Sequence, residues 1–184
     1  MPGQVDNAAI EVRIADVKRA PVKDDGTRYH VLLLEEVGGD RRLPIWVGQF
    51  EGTAIALHLE KIPVPRPLTF TFMAHLLEAA GISLREVRIN RLAEDTFYAV
   101  AEIQGPHGVA TVDARPSDAI ALALVTGVPI RVKPDVFAAA AGWEAAHPEL
   151  QQQAESWVKA PGAAEIVAEV KAKWPGYGSQ SGKR

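Results

Sequence analysis

The sequence predicts an α+β domain made of duplicated β-β-β-α units, forming a mixed, barrel-like curved sheet with helices packed on it, and followed by a C-terminal helical tail. Three observations lead there. Glu11-Val12-Arg13-Ile14 recurs as Glu86-Val87-Arg88-Ile89, and Ala54-Ile55-Ala56-Leu57 recurs in the same order as Ala119-Ile120-Ala121-Leu122. A hairpin lies between the two motifs in each copy. In the first it runs from Tyr29 to Val37, turns at Gly38-Gly39-Asp40 and returns from Leu43 to Val47; in the second, Phe97 to Gln104, a turn over Gly105-Pro106-His107-Gly108, and Val109 to Asp113. Finally, apolar β-branched stretches alternate with turn signals as far as Phe137, and a different composition follows.

Each element has a local reason. In both copies of Glu-Val-Arg-Ile, apolar and polar positions alternate, the period-two pattern of a strand with one buried face. Val31-Leu32-Leu33-Leu34 is continuously apolar and suits a strand covered on both faces. Residues 51–61 and 117–126 are rich in Ala and Leu and poor in β-branched residues, so helix is favoured. Pro116 fits a first helical position, and Gly127 fits the residue after a helix end. A linking helix over about 69–80 starts after Pro67 and stops at Gly81. Six strands and three helices thus fill residues 10–137.

The remaining residues, 138–184, read as a tail. It holds the run Ala138 to Ala141, the glutamines Gln151 to Gln153, and two modest helices over about 143–159 and 162–173. Pro161-Gly162 separates those helices, Pro175-Gly176 stops the second, and 176–184 is expected to be disordered. The tail carries five basic and five acidic residues, so it is not a polybasic arm.

Composition excludes several classes. With 47% hydrophobic and 23% charged residues in 184, wholesale disorder is excluded. No run approaches the roughly 18 consecutive apolar residues of a membrane helix, and the first residues lack a signal-peptide pattern. Zero Cys removes disulfides, thiolate metal sites and thiol nucleophiles. A cytoplasmic protein is expected. The net charge of −3 means that any nucleic-acid contact must use a local patch rather than a global field. Aromatics make up only 7%, and Arg85, Arg88 and Arg91 fall on both faces of one strand, interrupted by Glu86. The five His residues show no ligand spacing, so zinc is not expected, and there is no phosphate- or dinucleotide-binding glycine loop.

The densest polar cluster is Asp113-Ala114-Arg115-Pro116-Ser117-Asp118, where a strand meets a helix N-terminus. Such a junction presents free backbone N–H groups and a partial positive charge, and can bind a phosphate. Arg115 adds a planar donor fork. Asp113 and Asp118 are candidates to hold a divalent cation, Mg²⁺ or Mn²⁺, or to act as general base for attack by water. A purely structural reading stands beside this one: Ser117 caps the helix, Asp118 complements its dipole, and Arg115 pairs with Asp113. Glu51 begins the equivalent helix of the first copy and would share a cleft with Asp118 if the copies face each other.

Five stretches also resemble the bifunctional nuclease domain family: Leu43-Pro44-Ile45-Trp46-Val47-Gly48, with Glu51-Gly52 and Ala54 to Leu57 after it; Pro65-Arg66-Pro67-Leu68-Thr69; Asp95-Thr96-Phe97-Tyr98-Ala99; and Asp113 to Ile120. The resemblance covers roughly residues 10–137. It implies a compact α+β domain that self-associates as a homodimer, and hydrolysis of RNA and DNA with little sequence preference. Asp113, Asp118 and Glu51 would then be catalytic, and Arg115, Ser117 and Arg66 would bind substrate, with no organic cofactor and no membrane partner. One departure stands out. After Leu-Thr the family usually has His-Asp, where this chain has Phe70-Thr71. If those positions are catalytic, activity is weakened or lost. The rival expectation is therefore a non-enzymatic regulatory or interaction module that keeps the fold, its tail contacting a partner protein.

Overall fold

The two copies of Glu-Val-Arg-Ile take up matching places in a seven-stranded sheet. The computed structural model describes residues 8–22, 25–146 and 159–177. The first copy supplies β1 (Ile10–Arg19), β2 (Tyr29–Glu36), β3 (Arg42–Gly48) and helix α1 (Gln49–Leu59); α2 (Thr69–Ala79) leads to the second. That copy supplies β4 (Ser83–Ala93), β5 (Thr96–Gly105), β6 (Gly108–Ala114) and α3 (Pro116–Thr126). A short strand β7 (Ile130–Val132), helix α4 (Pro134–Ala146) and helix α5 (Ala163–Lys173) complete the described chain.

Strand order is β3-β2-β1-β7-β4-β5-β6. Each copy is an antiparallel meander, and the two meanders join through β7, which runs antiparallel to β1 and parallel to β4. The sequence pattern did not yield β7. Its partners show why it matters: Val12 and Val87, the same position in the two copies, both lie in register with Ile130. The copies also share an irregularity. Pairing slips between Ile14 and Asp16 in β1, and between Ile89 and Arg91 in β4, directly after the repeated tetrapeptide each time. A bulge at one equivalent position bends both meanders and curls the sheet into a half-barrel.

Helices α1 and α3 lie against one another on the sheet. Their repeated motifs are the buried stripes, with Ile55, Ala56, Ala119, Ile120 and Ala121 almost fully closed to solvent. His30 to Leu34 in β2 are buried save for the half-buried Leu33, as the continuous apolar run requires. Pro116 occupies the first turn of α3, and Gly127 ends it with φ +73°, a left-handed conformation that costs glycine nothing.

The predicted change of character at Phe137 falls inside α4, which buries Val136, Phe137 and Ala140. The helix expected from 143 thus begins at Pro134; its expected remainder over 147–158 lies outside the described residues, as do residues 178–184 of the terminus. The second tail helix matches α5. Its buried residues Ala163, Ile166, Val167 and Val170 recur at helical spacing and belong to the main core. Asp16, at the β1 bulge, receives the Ala163 N–H at 3.1 Å, while Glu165 receives the Gly162 N–H at 2.9 Å, so β1 itself supplies part of the cap of α5. Burial pushes the Asp16 carboxyl up, but the Lys18 ammonium and the amides of Ala163 and Val17 outweigh it and hold the pKa below its ordinary value. Among the described residues, no helix is long and apolar enough to cross a membrane.

Candidate active site

Two helix starts, one from each copy, meet at a single guanidinium. Glu51 is the third residue of α1 and Asp118 the third of α3, so each carboxylate sits in a first helical turn. Arg115 is the residue before α3, in extended conformation, with no side-chain cap of its own. Its Nε donates to Asp118 Oδ2 at 2.6 Å, and its Nη2 donates to Asp118 Oδ1 at 2.9 Å and to Glu51 Oε1 at 2.8 Å. These bonds, to Asp118 first and then to Glu51, raise the Arg115 pKa still further, so the group stays charged at any working pH. Although doubly paired, the Arg115 side chain is 66% exposed. Gly48 makes room for the arrangement, since a Cβ there would lie 2.2 Å from Glu51 Oε2.

The expected site residues divide clearly. Glu51, Arg115 and Asp118 come together and line one cavity of about 580 Å³. Asp113 stands exposed on the edge strand β6 and does not line that cavity, and Arg115 pairs with Asp118 rather than with Asp113. Ser117 is buried in the first turn of α3, outside the cavity lining. Arg66 is exposed on the segment before α2, also outside it. The helix end offers less than the junction promised. Pro116 has no N–H, and the amides of Asp118 and Ala119 both bond the Arg115 carbonyl at 3.1 Å, so none of these three positions offers a free amide.

A divalent cation does not fit this donor set as it stands. The two carboxylates that converge are bridged by a cation already, and among the described residues no three His, Asp or Glu side chains gather as ligands.

The sequence reading missed His30. It is 3% exposed, it lines the same cavity, and neither ring nitrogen has a hydrogen-bond partner. Burial lowers its pKa to about 4; the nearby Arg19 guanidinium adds to the shift and Glu169 opposes it. A Cβ on Gly52 would lie 2.6 Å from His30 Cβ, so the glycine in α1 lets the helix close over this ring. The usable signal was a polar residue opening the continuous apolar run of β2; a search for metal-ligand spacing passes over it.

The bifunctional nuclease domain profile matches residues 31–144, which carry Glu51, Arg115 and Asp118 together. The chain belongs to the bifunctional nuclease domain family. An uncharacterized protein of Mycobacterium tuberculosis is 51% identical over 130 residues, covering 71% of this chain and 75% of that protein. Bifunctional nuclease 1 of Oryza sativa subsp. indica is 31% identical over 114 residues, covering 60% of this chain but only 34% of the rice protein. Bifunctional nuclease 1 of Arabidopsis thaliana is 24% identical over 105 residues, or 32% of its length. In this bifunctional nuclease domain, Phe70 is a buried core residue that also lines the Arg115 cavity, with the half-buried Thr71 beside it. Of the pair Phe70-Thr71, Phe70 thus forms part of the cavity wall and Thr71 does not.

Proposed function

We propose that the protein hydrolyses phosphodiester bonds of RNA and DNA with little sequence preference, at the Glu51–Arg115–Asp118 cluster. The observation that supports this reading best is that carboxylates from both halves of the duplication converge on one exposed guanidinium at a cavity. A guanidinium fork matches two phosphate oxygens and stabilises the charge that grows on them. An incoming phosphodiester competes with Glu51 for Nη2, while Asp118, bound through two oxygens, keeps the guanidinium oriented. Glu51, so released, accepts a proton from the attacking water; the new P–O bond forms, the ester P–O bond breaks, and the leaving oxygen is protonated from solvent. A divalent cation, if one takes part, must first displace Arg115 from these carboxylates, so no step is assigned to it. Self-association as a homodimer is proposed through β6, a sheet edge exposed on both faces with Val109 and Val112 outward.

A second reading has an observation of its own. The carboxylates are neutralised by Arg115, and Phe70-Thr71 stands where the resemblance led to an expectation of the usual His-Asp, as in a module that keeps the fold for recognition without turnover. Of α5, the solvent face would then be what a partner protein meets, because its apolar face is spent on the core. One experiment separates the two. Purified protein is given single-stranded RNA or DNA with Mg²⁺, with Mn²⁺ and with chelator, beside Arg115→Ala and Asp118→Ala. Hydrolysis that falls at least about a hundredfold in both variants supports the nuclease. Equal rates in the variants mark a contaminant, and no hydrolysis in any condition leaves the recognition module.

A further inference from the structure

The cavity is larger than a phosphate contact needs, and most of its wall is apolar. At about 580 Å³ it falls within the roughly 300–1,000 Å³ of small-molecule sites. Two aromatic rings on its lining are left out in solvent, Phe50 at 87% and Trp174 at 57% exposure. Large rings held in water beside a cavity suit stacking, and base–aromatic stacking tolerates any base. The charged lining comprises Arg19, Arg28, Arg115 and Lys173 against Glu51, Asp118 and Glu169; with Arg19 paired to Glu169 and Arg115 to Glu51 and Asp118, one positive charge is left in excess. At the interior wall sits His30, closed to solvent, with both nitrogens unpartnered. A neutral imidazole offers one donor and one acceptor, the complement of a nucleobase edge. A buried polar group left without a partner is rare and calls for an explanation.

We propose that this cavity holds one unpaired nucleotide, its base stacked on Phe50 and Trp174 and, once the wall covering the imidazole is drawn aside, hydrogen-bonded by His30, its phosphate at Arg115. The proposal deepens the nuclease reading, and rests on it for the placement of the phosphate. Base capture would let an acidic protein with few aromatics select single strands. A paired base cannot enter without leaving its stack, which costs a few kcal/mol.

The test uses the full chain in chelator, and the length of every probe is checked after titration so that only intact strands are scored. Its probes are an end-labelled single-stranded oligonucleotide carrying one 2-aminopurine, the same strand with an abasic site there, its duplex, and free 2-aminopurine nucleotide. Expected are a saturable change in 2-aminopurine fluorescence and binding at least about tenfold weaker for the abasic strand and for the duplex. His30→Phe keeps a ring of similar shape and removes both nitrogens; it should weaken the base-containing strand about tenfold and leave the abasic strand unchanged. Trp174→Ala, at a position 57% exposed, should also weaken only the base-containing strand. Binding of the free nucleotide with the same His30 dependence assigns the cavity to nucleotides at large; failure of the free nucleotide, with the strand still bound, assigns it to strands. Equal affinity for abasic and intact strands, or no response to either substitution, overturns the proposal, and strand hydrolysis in the presence of metal would then still uphold the nuclease reading. Base binding that depends on His30, without hydrolysis under any condition, would uphold the cavity assignment and overturn the nuclease.

Discussion

Replacing His30 by Phe should make the protein more stable, and more so the lower the pH. At neutral pH the wild-type ring sits in the core with two nitrogens that lost their water and found no partner. An unpaired buried polar group costs about 1–3 kcal/mol, which an apolar ring of similar shape does not incur. Acid adds a second contribution. The His30 pKa is lowered from 6.5 to about 4 by burial first and the Arg19 guanidinium second, against the pull of Glu169. Between those values the unfolded chain takes up a proton that the folded one refuses. Stability linked to His30 is thus fully present above about pH 6.5 and is lost as the pH falls toward 4. At 1.36 kcal/mol per pKa unit the loss is about 3 kcal/mol. Asp16 and Glu169, whose pKa values are lowered, lose stability at still lower pH; Glu144, raised by burial, acts in the opposite sense. All three are common to both proteins, so the difference between wild type and variant isolates His30. Urea melts at pH 7, 6, 5 and 4.5 measure it. Parallel curves across that range, or a less stable variant at pH 7, would mean that His30 has a partner or water access in solution, and the argument from its orphaned nitrogens would fail.

Three further outcomes follow from single contacts. Gly52→Ala gains about 1 kcal/mol of helix propensity but drives a methyl into the His30 ring, and overpacking of this kind costs about 1–3 kcal/mol, so a net loss of stability is expected in thermal melts. Asp16→Ala removes the carboxylate that caps α5 and should cost about 1–2 kcal/mol, with faster amide exchange concentrated in residues 163–173, while Asp16→Asn should cost less. Arg115→Ala should change stability by less than about 1 kcal/mol, because its ion pairs are exposed; a large loss in chemical denaturation would assign the cluster to the fold rather than to chemistry.

How much of this was legible depends on how local the cause is. The repeated tetrapeptides, the hairpin turns, Pro116 and Gly127 act within a few residues, and all emerge as read. β7 was invisible because three residues, Ile130 to Val132, carry no period; what makes them a strand is having Val12 on one side and Val87 on the other. The depth of α5 was hidden for a similar reason. Its stripe of Ile166, Val167 and Val170 was readable as amphipathic, but only Asp16, far off in sequence, says which surface it caps onto.

The site divides along the same line. Asp113, Arg115 and Asp118 were grouped because they are neighbours in sequence, yet a residue on an edge strand and one in the next helix point by different rules, and Asp113 drops away. Glu51 is distant in sequence and joins the cluster, since duplication places the first turns of α1 and α3 side by side. His30 shows the remaining gap. A histidine in a buried strand looks like packing until its nitrogens are counted, and the count needs every neighbour. The duplication therefore accounts for the two carboxylates at the mouth of the cavity, where Glu51 and Asp118 take equivalent places, while Arg115 stands where the first copy has Gly48. The interior is where they differ: the buried His30 of β2 on one side, Phe70 of the linking helix on another, and α5 closing a wall that has no repeat. If chemistry resides where the two helix starts meet, selection among ligands resides in the walls that have no repeat, and substitutions at His30 and Trp174 should alter what binds while substitutions at Arg115 and Asp118 alter whether anything is cleaved.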